Sequence, residues 1–478
     1  MNAAQALRDP VIRHLPMALH TPSMQILLQR HLFVEPGWRI RHCQIERIKY
    51  KREKNCLVCY RLRVEHPGEC RMELLVSCRF YEAGGSRERH LKALRAPLPE
   101  TGITHALLHL PAVDCVAWIF PNDRKLFALP MLSDAGMLAD VIVPRIIPPQ
   151  SGWRIGRVHV ERMHYLPEHS CCVRAEICRA HRQHGEHREV WYGKTYHDRQ
   201  GQHAMQAMEQ LWHGIARREG RLSVPRPVAY LAEFHMLWQT EVAGRPLLDL
   251  LHEKETFDMR MRHVGETLAA LHHSALRLDA PPDVPSNIEQ LRETQTLLQR
   301  LSPAGGRRLT PLVERLIAMH PGLPPAAIAT LHGDLHLKNL LADGSRISLI
   351  DLDDVHLGDP LDDLGGLIAS LLYLPVLDRL STGRAEHAIR RILAAYQRAT
   401  ARPLDTTALR WHVSTMLITQ RIKRGITRLK ADRLALLPLL FALAESSAPG
   451  GPRPGWLPDA PSGASDTSPA VTEEARHD

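Results

Sequence analysis

LHGDLHLKNLLADGSRISLIDLDDVHLGDPLDDLG, running from Leu331 to Gly365, is the stretch whose reading decides the fold. Eight Asp, three His and one Asn surround a single apolar strand, Ile347–Ile350. Two pieces carry chemistry: HGDLHLKN (His332–Asn339) and LIDLDD (Leu349–Asp354). A turn at Asp343-Gly344 separates them and predicts a hairpin that returns the second piece beside the first. Phosphoryl transfer from a nucleotide needs a carboxylate near the accepting hydroxyl. It also needs oxygen ligands for Mg²⁺, which prefers one or two carboxylates plus phosphate oxygens. Asp334 suits the first task, and Asn339 with Asp351 suits the second.

The order H-G-D-x-H-x-x-N, then I-D-x-x-D, then G-D-P-x-x-D (Gly358–Asp363) resembles the aminoglycoside phosphotransferase and choline kinase group. That group is the small-molecule branch of the kinase-like fold. The resemblance implies an α+β, bilobal protein-kinase-like architecture, with Mg²⁺ and with ATP or GTP as phosphate donor. His332 reads as a structural histidine of the loop, and His336 as loop support or a phosphate contact. Asp353 and Asp354 read as loop-bracing or substrate-side, and Asp359 and Asp363 as pins for the large lobe.

A chain of 478 residues exceeds one ordinary core and suggests roughly two to four structural units. An apolar fraction of 44% and a charged fraction of 24% belong to a soluble globular protein. No apolar run reaches the roughly 18 residues that span a bilayer, and MNAAQALRDPVIRH lacks a signal-peptide core, so a cytoplasmic location is expected. All nine Cys precede residue 180. Cys56 and Cys59 lie inside an apolar run with no second pair at zinc spacing, which favours strand cysteines over a metal site. The net charge of +9 permits an anionic partner without naming one. Nucleic acid is not expected, and the oligomeric state is open.

Upstream, the sequence repeats. GWRIRHCQIERIKYKREKNCLV (Gly37–Val58) aligns with GWRIGRVHVERMHYLPEHSCCV (Gly152–Val173) at an offset of 115, with ten of 22 positions identical. Each copy reads as a hairpin, a third strand, a helix and a Trp-led strand running into a turn. This is the plan of a kinase small lobe, and only the second copy leads into the catalytic stretch. The resemblance places Lys194 on the third strand as the lysine for the donor phosphates. It makes Glu209 that lysine's partner on the next helix. It makes the linker Gln239, Glu241 and Ala243 the backbone contact for adenine. Tyr192 and a loop without a glycine triplet, Tyr165–Ser170, depart from the pattern. The first copy has Arg79 at the lysine position. A guanidinium does not reproduce the lysine's point charge, so this copy is expected to be catalytically inert: a cap, a dimer surface or a regulatory module.

The expected organisation is a helical lead over 1–36, a degenerate small-lobe repeat over 37–148 and a nucleotide-binding small lobe over 149–243. A helical catalytic large lobe over 244–445 and a disordered tail over 446–478 follow. Within the large lobe, Pro281–Pro285 and Pro303–Gly306 are read as loops, and Thr406–Lys430 as one helix. The functional expectation is an ATP-dependent O-phosphotransferase acting on a hydroxyl of a sugar, an amino alcohol or a related metabolite. A silent kinase-like nucleotide-binding or regulatory protein is one alternative, and an aminoglycoside-resistance kinase is another. A protein kinase is disfavoured because D-F-G and A-P-E are missing. From Tyr373 to Ala448 the chain has thirteen Lys or Arg against five acids, with Arg421, Lys423, Arg424 and Arg428 clustered. If that cluster faces the cleft, the acceptor is neutral or anionic.

Overall fold

The computed structural model describes residues 9–68, 71–148, 152–278, 285–325, 327–428 and 431–458. Most of the Pro281–Pro285 loop and Lys430, the end of the helix expected from Thr406, lie outside the described residues.

Two short helices, α1 (Leu15–Ala18) and α2 (Thr21–His31), precede a long hairpin of β1 (Arg39–Lys51) and β2 (Asn55–Glu65). Then come β3 (Met72–Phe80), α3 (Gly85–Ala93), β4 (Leu107–Leu110) and β5 (Cys115–Ile119). The strands form one antiparallel sheet in the order β1-β2-β3-β5-β4. Alternation along β2 puts Val58, Tyr60, Leu62 and Val64 on one face, buried with Leu15, Met24 and Leu28 of the two helices. Cys56 belongs to that face, whereas Cys59 and Leu75 are buried in the other cluster, beneath the next part of the chain.

That next part repeats the plan. Helix α4 (Leu129–Ser133) and further helical residues 135–146 lead into β6 (Trp153–Leu166), β7 (Ser170–His181) and β8 (Gly185–Tyr196). After α5 (Gln200–His213) come β9 (Pro227–Leu231) and β10 (Met236–Thr240), and the sheet order is β6-β7-β8-β10-β9. The two sheets match in detail. Trp38 packs on His66 at 5.4 Å between ring centres, and Trp153 on His181 at 5.1 Å. Asp9 accepts from the Tyr50 hydroxyl (2.6 Å) and the Glu53 amide (2.9 Å). Asp123 accepts from the Tyr165 hydroxyl (2.7 Å) and the Glu168 amide (2.9 Å).

The helices before each sheet pack on that sheet. Leu129, Leu132, Leu138 and Ile142 share a core with Cys171, Val173, Ala175 and Ile177 of β7. The described part of the lead expected over 1–36 therefore packs on the first sheet, and the helices before residue 149 pack on the second. The apolar inner face of each sheet needs a cover, and the nearest amphipathic segment in sequence supplies it.

The remainder is mostly helical. Its main elements are β11 (Arg245–Pro246), α6 (Lys254–His272), α7 (Asn287–Leu301), α8 (Pro303–Met319) and β12 (Ala329–Leu331). These are followed by β13 (Leu340–Asp343), β14 (Arg346–Leu349), β15 (His356–Gly358), α9 (Pro360–Val376), α10 (Thr382–Thr400) and α11 (Thr406–Met416). Helix α8 replaces the loop expected at Pro303–Gly306. Ser302 caps it by accepting from the Gly305 amide, and Pro303 fits the first turn, where no amide donor is needed. The helix expected over Thr406–Lys430 breaks after α11 into a π-helical turn, Leu417–Ile422, and then α12 (Lys423–Thr427). Helix α13 (Leu437–Ser447) ends the lobe.

Beyond it, the expected disordered tail is ordered as far as residue 458. Ala448, Trp456 and Leu457 enter the main core, and Arg410 donates to the carbonyls of Ser447 (3.2 Å), Gly451 (3.2 Å) and Pro452 (3.0 Å). One Trp and one Leu bury enough apolar surface to hold a Pro/Gly-rich segment whose carbonyls a guanidinium satisfies. Residues 459–478 lie outside the described residues.

Candidate active site

The loop after β12 is held from below by a buried carboxylate. Asp363, in the first turn of α9, accepts from the amides of His332 (2.7 Å) and Gly333 (3.0 Å), with His272 Nε2 at 3.3 Å. Gly333 has φ +82°, and a Cβ there would meet the Asp354 carbonyl oxygen at 2.2 Å, so only glycine fits. His332 is fully buried, and its Nε2 donates to the Ile350 carbonyl at 3.0 Å. The β13–β14 hairpin pairs Leu340 with Leu349, and the Ile350 amide donates to the Asn339 carbonyl at 3.0 Å. Asn339 thus sits across from the residue preceding Asp351. Its Nδ2 donates to the Asp334 carbonyl at 3.0 Å, which leaves Oδ1 for another partner. Asp351 takes the left-handed conformation, φ +61°, which Asp tolerates better than most residues.

Lys194 reaches this loop from β8. The register pairs Cys172 with Lys194 and Arg174 with Tyr192, so these four share the sheet face opposite the α4 core. Lys194 Nζ lies 2.7 Å from Asp351 Oδ1 and 2.5 Å from Asp353 Oδ2. The Tyr196 hydroxyl donates to the other oxygen of Asp353 at 2.8 Å. Burial opposes the lysine's charge, but Asp353 and Asp351 outweigh it, and its pKa is raised. Burial also works against ionisation of Asp351, yet Lys194 holds its carboxyl below the ordinary range. Asp353 is raised by burial and by the neighbouring Asp351, despite the lysine.

Glu209 does not meet Lys194. Helix α5 turns Ala204, Ala207, Met208 and Leu211 into the core, which leaves Glu209 exposed. The acidic partners come instead from Asp351 and Asp353, more than 150 residues downstream. Helix α5 is nonetheless docked on the catalytic segment. Gln200 Nε2 donates to Asp354 (3.1 Å), and His203 Nε2 to the Val355 carbonyl (2.7 Å). In the linker, Gln239 pairs with Tyr192 in the sheet, the Glu241 amide donates to Val190 (3.0 Å), and Ala243 is exposed. The Glu241 carboxylate is 3.2 Å from Arg174 Nε. Gly244, at φ +121°, lets the chain pass the Ala342 backbone into β11, which pairs with β13.

Asp334 has a basic neighbourhood. Arg424 Nη2 is 3.3 Å from one carboxylate oxygen and His336 Nε2 is 3.7 Å from the other. Beside the loop opens a cleft of about 1170 Å³ whose lining includes Gly333, Asp353, Asp354, Asn287, Gln420 and Lys423. Lys194 and Asp334 lie outside that lining, and the cleft reaches the Lys194 cluster through Asp353. Of the expected site residues, Lys194 and Asp351 come together, and Asn339 and Asp334 share the adjoining loop. Tyr196 was missed. Its only signal is its place two residues beyond Lys194 on the same strand face.

Among the described residues, no group of three or more His, Cys, Asp or Glu is arranged to hold a metal ion. Asn339 and Asp351 offer oxygen donors only, which suits Mg²⁺ held chiefly by phosphates and water.

Residues 180–405 match the model of the phosphotransferase enzyme family, so the match starts at the end of β7 and leaves the first sheet outside it. No curated protein matches the chain. Among solved structures it is similar to a choline/ethanolamine kinase family protein from Mesorhizobium loti. That pair is 17% identical with a TM-score of 0.41, covering 60% of this chain and 87% of the other. It is similar to a thermostable mutant of the aminoglycoside phosphotransferase APH(4)-Ia at 13% identity and a TM-score of 0.45, covering 64% and 99%. It is also similar to the amicoumacin kinase hAmiN, solved with AMP-PNP, Ca²⁺ and Ami, at 13% identity and a TM-score of 0.43, covering 62% and 90%. The segment that builds the Lys194–Asp351–Asp334 arrangement lies within the match to the phosphotransferase enzyme family, and the chain is a phosphotransferase.

Proposed function

We propose that the chain transfers the γ-phosphate of ATP or GTP to a hydroxyl of a small molecule, with the nucleotide between the second sheet and the catalytic segment. The observation that carries this reading is the bridge of Lys194 to Asp351 and Asp353 across the two lobes. Lys194 aligns the donor phosphates, and the linker backbone around Gln239, Glu241 and Ala243 meets the base. Asp334 orients the acceptor hydroxyl and takes its proton. Asn339 and Asp351 would hold Mg²⁺, which supplies charge neutralisation on the phosphates when bound. The remaining task of the protein is positioning: Asp363 fixes the His332 and Gly333 amides, so the Asp334 carboxylate sits on a loop that cannot sag.

The repeat in sequence, the equal strand orders and the paired Asp9 and Asp123 contacts support a duplicated small lobe. In that reading the first copy has no nucleotide role. Its face equivalent to the Lys194 face carries Cys59, Ser77 and Arg79, and these meet Tyr165 and Glu168 of the second copy. The copy is a cap on the working lobe. No helix among the described residues is long and apolar enough to cross a membrane, and we place the enzyme in the cytoplasm.

The test is nucleotide consumption by the full chain across aminoglycosides, sugars, sugar phosphates, nucleosides and amino alcohols. One acceptor class stimulates turnover, and Asp334→Asn abolishes the stimulation. Stimulation that survives in Asp334→Asn at the wild-type rate contradicts the assignment of the proton acceptor.

A further inference from the structure

Arginines from two distant parts of the chain converge on the Asp334 side of the site. Arg424 of α12 touches Asp334, and Arg421 lies one turn earlier with its guanidinium 5.8 Å from the centre of the Tyr373 ring. Arg428 follows directly after α12. The fourth comes from the first small-lobe copy. Strand β1 packs against α12, and Arg47 sits on that strand, lining a recess with Lys49, Leu166, Pro167 and His169 beside the turn of the second copy's hairpin.

Close packing of like charges costs stability unless something neutralises them. The charges that bear most on Arg47 are Arg428 and Arg424, and both repel it. Burial, then Arg424, depresses Arg421 to about 10, and Asp334 offsets this only in part. Among the described residues no carboxylate lies within ion-pair distance of Arg47, Arg421 or Arg428. The nearby pairs use Lys423 with Glu293, Arg424 with Asp334 and Arg433 with Asp432. Arg421 Nε is buried without a hydrogen-bond partner among the described residues. A wholly solvated basic face would not half-bury Arg421, with its Nε atom shut away from solvent, or bring in Arg47 from a separate lobe.

We propose that Arg47, Arg421, Arg424 and Arg428 form a subsite for a dianionic group of the acceptor, and that the acceptor is an alcohol already bearing a phosphate monoester. Three cations without acidic partners exceed what one carboxylate neutralises, and guanidinium groups bind phosphate through paired N–H donors. The phosphate draws Arg424 off Asp334 and frees that carboxylate for the hydroxyl. The first small-lobe copy then has a definite task, because it delivers Arg47 and closes the subsite. This inference rests on the phosphotransferase reading above.

Two measurements on the full chain test it. The first is calorimetric titration with inorganic phosphate in the presence of MgADP. The wild type binds, and Arg47→Gln and Arg428→Gln each bind about tenfold more weakly or worse. Both variants also melt no lower than the wild type, since each relieves repulsion, whereas loss of a merely structural arginine lowers the melting temperature. The second compares turnover with matched alcohols, glycerol against glycerol 3-phosphate and ribose against ribose 5-phosphate. The phosphorylated member of a pair stimulates and the neutral one does not, and Arg47→Gln raises its KM more than it lowers kcat. Phosphate binding unchanged in both variants overturns the inference. So does equal stimulation by neutral and phosphorylated partners, which leaves the phosphotransferase reading intact. If no Mg²⁺-dependent nucleotide turnover occurs with any acceptor, that reading fails instead, and the phosphate titration still decides the subsite.

Discussion

His412 on α11 joins two turns of the chain through its charge. Its Nδ1 lies 2.8 Å from Asp362 and its Nε2 3.3 Å from Asp359, and the ring is buried. Burial alone would depress its pKa, but the two carboxylates outweigh it and raise it to about 9. A folded-state value above the unfolded one stabilises the protein fully below about pH 6.5, and that contribution fades as pH rises through the folded value. The amount is on the order of 3 kcal/mol. Thermal unfolding followed from pH 6 to pH 10 should show a falling midpoint above neutrality, and His412→Gln should flatten that fall. Equal slopes in both proteins would remove His412 from the account. At this scale, the sequence pointed to Asp334, Asn339 and Asp351 because their types follow from the expected chemistry, and to Lys194 only through the resemblance of its strand. Glu209 failed for a physical reason: spacing puts it on the right helix, but the face α5 buries is chosen by Ala204, Ala207, Met208 and Leu211. His412 had no local signal, since its partners are some 50 residues away.

Among the elements, the hairpin turn between β6 and β7 shows how the first sheet is joined to the second. Glu168 stands at φ +60° in this turn, and its carboxylate, 7% exposed, binds Arg79 of β3 and both arms of Arg124 at 2.7 Å. Kinase phosphate loops use glycines at such a turn to stay pliable. Here the Asp123 carboxylate and two arginines fix the turn from outside, which accounts for the missing glycine triplet. Glu168→Ala leaves two guanidinium groups without their carboxylate and should lower stability by about 3 kcal/mol or more. Glu65→Ala, which breaks the exposed contact with Arg41, should cost under about 1 kcal/mol. Denaturant midpoints measure both, and similar small losses would mean that the clamp contributes nothing. Strand alternation made the two sheets legible in sequence, while the clamp was not. Arg79 stood out only as a lysine replaced by arginine, and its partner lies 89 residues on. Helix α8 was misread because Pro303 signals a break in isolation and a first-turn residue once Ser302 caps it.

Across the whole molecule, two sheets of equal strand order stack before one helical lobe, and only the second offers a free face to the catalytic segment. The large-lobe core continues into α5, Tyr196 and Leu237, whereas most of the second sheet packs in a separate core with α4. The first sheet is tied on through Cys59, Leu75 and the Glu168 clamp. The repeat at offset 115 was readable from sequence. Where each unit begins was not, because the covering helices have diverged and carry no shared motif as long as GWRI. The central claim is that Asp351, held by Lys194, belongs to a Mg²⁺–nucleotide site. Its most direct test is Mg²⁺-dependent nucleotide turnover in Asp351→Asn, a change that keeps the side-chain shape and a residue type tolerant of the left-handed backbone. Turnover should fall by about a hundredfold or more while the melting temperature stays near that of the wild type. Turnover near the wild-type rate in the folded variant would contradict the account.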